Sequence, residues 1–98
     1  MADGYAALFK LLRTYNTKYH LDTPMGLISR YAPASDRNNT ASYAKKVASA
    51  LGIGVNSKIN FNDEKTLIAL AKTIAMVENG SPADERDIIA GLNLAKQK

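Results

Sequence analysis

Cysteine and tryptophan are absent from this 98-residue chain, histidine occurs once, and only three prolines interrupt it. Without cysteine there is no disulfide framework and no thiolate metal site, and the chain can fold alike in reducing or oxidising surroundings. The solitary His20 has neither a second histidine nor a cysteine to share a zinc ion, so no metal is expected and a turn histidine is the simpler reading. The same shortage removes the nucleophilic triads that need a histidine base beside a serine or cysteine. Gly52-Ile53-Gly54 lacks a third glycine and follows a helical pattern instead of a strand, which excludes a phosphate-cradling loop. No cofactor is expected. No apolar run approaches the roughly 20 residues of a membrane span, and Met1-Ala2-Asp3-Gly4 offers no basic start to a signal peptide. The expectation is a soluble chain without signal peptide or membrane span.

Charge of one sign is only mildly in excess. Thirteen Lys and Arg against nine Asp and Glu leave a net charge of +4, which favours encounter with anionic partners such as nucleic acid or an anionic wall polymer. The cations are spread along the whole length with one adjacent pair, Lys45-Lys46, and that spacing describes a solvated surface better than a binding stripe.

What the sequence has in abundance is helical periodicity. Tyr5, Leu8, Phe9, Leu12, Tyr15 and Tyr19 recur at helical spacing and predict a first helix over 3–19, with Asp3 as its N-cap. Thr23-Pro24 supplies a cap and a proline at the first helical position for a short second helix carrying Met25, Leu27, Ile28 and Tyr31, which must end before Pro33. Thr40 is expected to cap a third helix with Tyr43, Val47 and Leu51 on one stripe, closed by Gly52. Ile53 to Phe61 reads as a loop pinned by apolar anchors, since a lone strand would have no partner. Asn62 is expected to cap a fourth, central helix with Leu67, Leu70, Ala71, Ile74 and Val77 on one face. Ile68, Ala69, Ala75 and Met76 widen that face, and Asn79-Gly80 ends the helix. Ser81-Pro82-Ala83-Asp84 resembles a capping box before a last helix with Ile88, Ile89, Leu92 and Ala95, frayed at 96–98. The fold class is therefore all-α: one compact domain, 1–98, of four to five helices.

The unusual segment is Ser29 to Thr40, too long for a minimal helix connection and rich in an aromatic, arginines and amides where a flexible linker would carry Gly and Ser. An ordered surface loop is expected between helices 2 and 3. Arg30, Tyr31, Asp36, Arg37, Asn38 and Asn39 are the candidate binding residues, because loops carry function on a rigid scaffold. Tyr5, Tyr15, Tyr19 and Tyr43 fall on apolar faces and read as core or core-rim residues with the hydroxyl reaching outward. Glu78 is the weak catalytic candidate. It sits at the negatively polarised end of the fourth helix, where a carboxylate is electrostatically misplaced, and Asp36 is the acid that could pair with it in glycoside hydrolysis. A DNA-reading helix-turn-helix is disfavoured: residues 52–61 connect the third and fourth helices where the motif needs about three or four, and Asp63-Glu64 at the start of the second of them would repel phosphate.

The order Leu21-Asp22-Thr23, Ile28-Ser29-Arg30-Tyr31-Ala32-Pro33, an acid and amides ending in Thr40, then Tyr43, Val47, Leu51-Gly52-Ile53 and Glu78-Asn79-Gly80, resembles a module of tailed-phage and prophage proteins. Members are usually labelled virion structural proteins, and some occur alongside peptidoglycan-degrading functions. The similarity covers about residues 4–80. It departs from the family pattern in having Tyr31 where tryptophan is usual, Ala34 where a second proline is common, a slightly longer polar loop, and no N-terminal portion with an Asn-Asn-Pro-Gly-Asn segment. The resemblance implies a non-enzymatic, virion-associated or cell-wall-interacting module, located in the virion or in the bacterial cytoplasm before assembly. Its implied partners are other virion proteins, peptidoglycan or an anionic wall polymer. The alternatives are a small or degenerate lysozyme-like peptidoglycan hydrolase with Glu78 as proton donor, and a basic phage protein that binds nucleic acid or a host protein.

Overall fold

In a computed structural model, which describes residues 2–33 and 39–96, the chain forms five helices: α1 (Ala2–Tyr19), α2 (Pro24–Tyr31), α3 (Thr40–Leu51), α4 (Glu64–Asn79) and α5 (Glu85–Lys96). No strand occurs among the described residues. The protein is an all-α globule. Its radius of gyration, 12.4 Å, is what a compact chain of this length should have, about 13 Å.

The helix stops are written in local chemistry. Gly52 and Gly80 each adopt φ 70, ending α3 and α4 in the left-handed conformation that costs glycine nothing. The turn after α1 uses a non-glycine residue for the same job: His20 sits at φ 57, in a region where histidine is more tolerated than most side chains. The Leu21 N–H then reaches back 3.0 Å to the Tyr15 carbonyl. Thr23 caps α2 as the sequence predicts, its Oγ1 accepting the Gly26 N–H at 3.0 Å, with Pro24 at the first helical position.

Four predicted starts shift. α1 begins at Ala2, so Asp3 is a position inside the helix and not the one that precedes it. Asn39, not Thr40, caps α3: its Oδ1 accepts the Ser42 N–H at 3.1 Å, while the Thr40 hydroxyl donates to the Ala32 carbonyl at 2.6 Å. Asp63, not Asn62, caps α4, because a carboxylate accepts both the Lys65 N–H and the Thr66 hydroxyl. The Ser81 capping box does not form; α5 starts at Glu85, with the Asp84 carboxylate accepting the Arg86 N–H at 2.9 Å.

Two buried clusters organise the interior. The larger gathers Leu12, Leu27, Ile28, Tyr43, Val47, Ile59, Leu70 and Ile74, and the smaller gathers Phe9, Ala71, Ile88 and Leu92. Adjacent residues of α4, Leu70 and Ala71, contribute one to each, which is why the broad apolar surface of α4 is central. The surface is narrower than the sequence suggests: Met76 is 48% exposed. Ile53 to Phe61 is a pinned loop as expected, held by the Met25 N–H donating to the Val55 carbonyl at 2.9 Å and the Ile59 N–H donating to the Asp22 carbonyl at 2.7 Å. Ile59 is its buried anchor.

The two ends of α4's surface give a direct contrast. Leu70→Ala removes a side chain with 0% exposure and should cost about 2–5 kcal/mol of stability in urea unfolding, whereas Met76→Ala on the same helix should stay within about 0.5 kcal/mol of wild type.

Candidate functional site

Helix α2 is eight residues long, and its burial pattern aims its last turn outward. Leu27 and Ile28 have no exposed surface while Ser29 and Arg30 are exposed. Tyr31 and Ala32 then turn back toward the core, Tyr31 half-buried and Ala32 buried. The sequence-predicted Arg30 and Tyr31 consequently face two different neighbourhoods that meet at the C-terminal end of α2.

Arg30 lies on the aromatic end of α1. Its guanidinium carbon is 4.4 Å from the Tyr19 ring centroid and 5.8 Å from that of Tyr15, and the two rings meet edge to face at 6.4 Å. The Lys18 ammonium stands 5.7 Å from the Tyr19 centroid. Cations over tyrosine faces at such distances contribute about 0.5–1 kcal/mol each when exposed. Of the core or core-rim positions that the helical spacing predicts, Tyr19 is at the exposed end, with 41% of its surface exposed and cations over its ring.

Tyr31 turns the other way and meets Tyr43 edge to face, with centroids 6.4 Å apart and planes at 85°. The Tyr43 hydroxyl donates to Glu78 Oε1 at 3.2 Å, so Glu78, in the last turn of α4, joins the same neighbourhood while remaining exposed. Burial pushes the Tyr31 phenol above its ordinary 10.0, reinforced by the negative charge of Glu78 and by Tyr15. Burial raises the Tyr43 phenol further, with the charges of Glu78 and Tyr31 and the hydrogen bond given to Glu78 adding to it. Both phenols are neutral hydrogen-bond donors at physiological pH.

The assembled cluster draws Tyr15, Tyr19, Arg30, Tyr31, Tyr43 and Glu78 from four helices, with Tyr19, Arg30 and Glu78 exposed, Tyr15 and Tyr31 half-buried and Tyr43 buried. It presents a planar five-donor cation, aromatic faces and one carboxylate acceptor. Of the predicted binding residues, Arg30 and Tyr31 are in it. Asn39 spends its side-chain oxygen on the α3 cap, and the Thr40 hydroxyl ties that end of the loop to Ala32, beside Tyr31. Asp36, Arg37 and Asn38 lie outside the described residues, as does the interior of the loop expected to be ordered, and so does any pairing of Asp36 with Glu78. Sequence reasoning did not assign Tyr15, Tyr19 and Tyr43 to a site. The available signal was the Tyr15–Tyr19 spacing of four at the end of α1, where the apolar stripe runs past the core.

No family model matches the chain. Over 78 residues, 80% of its length, it is 38% identical to Protein P5 of Pseudoalteromonas phage PM2. The chain is phage-related. The match takes in 46% of Protein P5, so the chain spans about half the length of the curated relative it matches. No helix among the described residues is long and apolar enough to cross a membrane.

The raised phenols have a signed consequence. A folded-state pKa above the unfolded value gives stability that is complete below the unfolded pKa of about 10 and is lost as pH rises beyond it, because the unfolded chain releases its protons first. Urea midpoints should fall between pH 9 and 11 in the wild type and fall less steeply in Tyr43→Phe. At pH 7 the same substitution should cost about 1 kcal/mol for the hydrogen bond to Glu78.

Proposed function

We propose that the chain is a non-enzymatic, virion-associated module that engages cell-wall polymer, peptidoglycan or an anionic wall polymer, through the face built by Arg30 and Tyr31. The observation that carries this reading is the Arg30 guanidinium layered on Tyr19 and beside Tyr15, with the next residue in the chain, Tyr31, meeting the Tyr43–Glu78 pair through Tyr43. Wall fragments combine sugars, which have apolar C–H faces and hydroxyl rims, with carboxylates. Aromatic rings suit the first, and a guanidinium fork suits the second. Asp36, Arg37 and Asn38, which lie outside the described residues, and Asn39 are included in the proposed binding set on the sequence alone. The similarity to a phage protein supports a role in the virion with other virion proteins as neighbours.

Glu78 belongs to this reading as an acceptor, not as an acid catalyst. Glycoside hydrolysis needs a second carboxyl about 5–10 Å away and an open space between the two. Glu78 is an exposed group at a helix end that already accepts the Tyr43 hydroxyl.

Titration of soluble muropeptides against backbone amide shifts should move Tyr19, Arg30 and Tyr31, and Arg30→Gln should weaken the response about five- to tenfold, the loss of one charge-assisted hydrogen bond. Silence at millimolar muropeptide together with salt-sensitive shifts on adding DNA would transfer the site to the nucleic-acid reading. Clearing of purified cell walls by the wild type, abolished by Glu78→Gln, would make the chain a hydrolase.

A further inference from the structure

A concavity lies between α1, the start of α4 and the end of α5, lined by none of the residues of the Arg30–Tyr31 face. Its volume is about 260 Å³. That is larger than the roughly 150 Å³ apolar cavity that admits benzene and close to the lower end of small-ligand pockets, about 300 Å³. Phe9, Leu67 and Leu92 supply an apolar floor. At one edge stand Lys10 and Arg13, both exposed.

Those two cations are the informative part. Lys10 and Arg13 are one turn apart on α1, the spacing at which like charges face each other and weaken a helix. Among the described residues neither is in an ion pair. The opposite edge is already neutralised, because Lys96 is paired with Glu64. The cleft therefore offers an apolar floor bordered by the polar side chains of Asn16, Thr17 and Asn62, with positive charge on Lys10 and Arg13 that no ion pair among the described residues neutralises, and an occupant with a short hydrocarbon body and a single anionic end would satisfy both. A concavity of this size does not take in a whole helix, and the guanidinium of Arg13 matches a carboxylate in two parallel hydrogen bonds.

We propose that this cleft binds a single-chain alkyl carboxylate, with the chain over Phe9, Leu67 and Leu92 and the carboxylate between Lys10 and Arg13. The site is independent of the Arg30–Tyr31 face, so either can fail without the other.

The test uses sodium octanoate as probe, followed by amide shifts of the whole chain. Saturable shifts centred on Phe9, Arg13, Leu67 and Leu92 are expected with a low-millimolar dissociation constant, the range for a ligand of about ten heavy atoms. Lys10→Gln/Arg13→Gln changes only exposed side chains and should weaken binding about fivefold or more while leaving the amide spectrum folded. Acetate and octyltrimethylammonium separate the two halves of the claim: neither should saturate the cleft. The proposal is overturned if octanoate gives no saturable shifts or if the double substitution leaves its affinity unchanged. An equal response to acetate, which would mean charge alone, or to octyltrimethylammonium, which would mean apolar surface alone, overturns it too. So does binding to phosphatidylglycerol vesicles without binding monomeric octanoate, which would make the face a membrane contact. Concentration-dependent dimerisation that shifts the same amides would assign the cleft to a second copy of the chain instead.

Discussion

The seating of Leu27 and Ile28 is the constraint on which the surface chemistry depends. Both side chains are fully buried, and a helix as short as α2 cannot hold itself together in water by its own hydrogen bonds. It is kept by what surrounds it: the Thr23 cap, the Pro24 start, and the 53–61 segment, whose backbone bonds to residues 22 and 25 close over it. Once those two residues are inside, the helical repeat leaves Arg30 outside and returns Tyr31 to the rim. Loosening the core at Leu27 would therefore move the Arg30 guanidinium off Tyr19 without touching either partner.

The same dependence explains why Tyr43 and Glu78, thirty-five positions apart, form one unit. Val47 and Ile74 fix the approach of α3 to α4 through the larger cluster, and the Tyr43 hydroxyl then finds the Glu78 carboxylate at the solvent boundary. A carboxylate in the last turn of a helix is disfavoured by the dipole, and the Tyr43 hydroxyl offsets part of that cost. The misplacement visible in the sequence thus has a local structural partner.

Two surfaces with different chemistry result. One is aromatic and amphoteric, built around the end of α2. The other is an apolar cleft with cations on one edge, built between α1, α4 and α5. They draw on separate buried clusters: the larger backs the first, and the smaller, with Phe9, Ala71, Ile88 and Leu92, backs the second.

Helix number, order and stops were legible in the sequence, because they depend on interactions within a few residues: apolar side chains at helical spacing, Thr23-Pro24, and Gly52 and Gly80 at φ values that other residues avoid. Which of two adjacent capping residues serves was not, since Asn39 and Thr40 or Asn62 and Asp63 are equally capable alone. The choice fell to Asn39 when Thr40 was drawn to the Ala32 carbonyl, eight residues back. The place of Arg30 and Tyr31 at a helix end before an unusual loop could be read from the sequence. That Arg30 would lie on Tyr19, that Tyr43 would join Tyr31 to Glu78, and that Lys10 and Arg13 would border a cleft floored by Leu67 and Leu92 required the tertiary structure. Periodicity says which face of a helix is buried, but only packing decides which other helix supplies the neighbour.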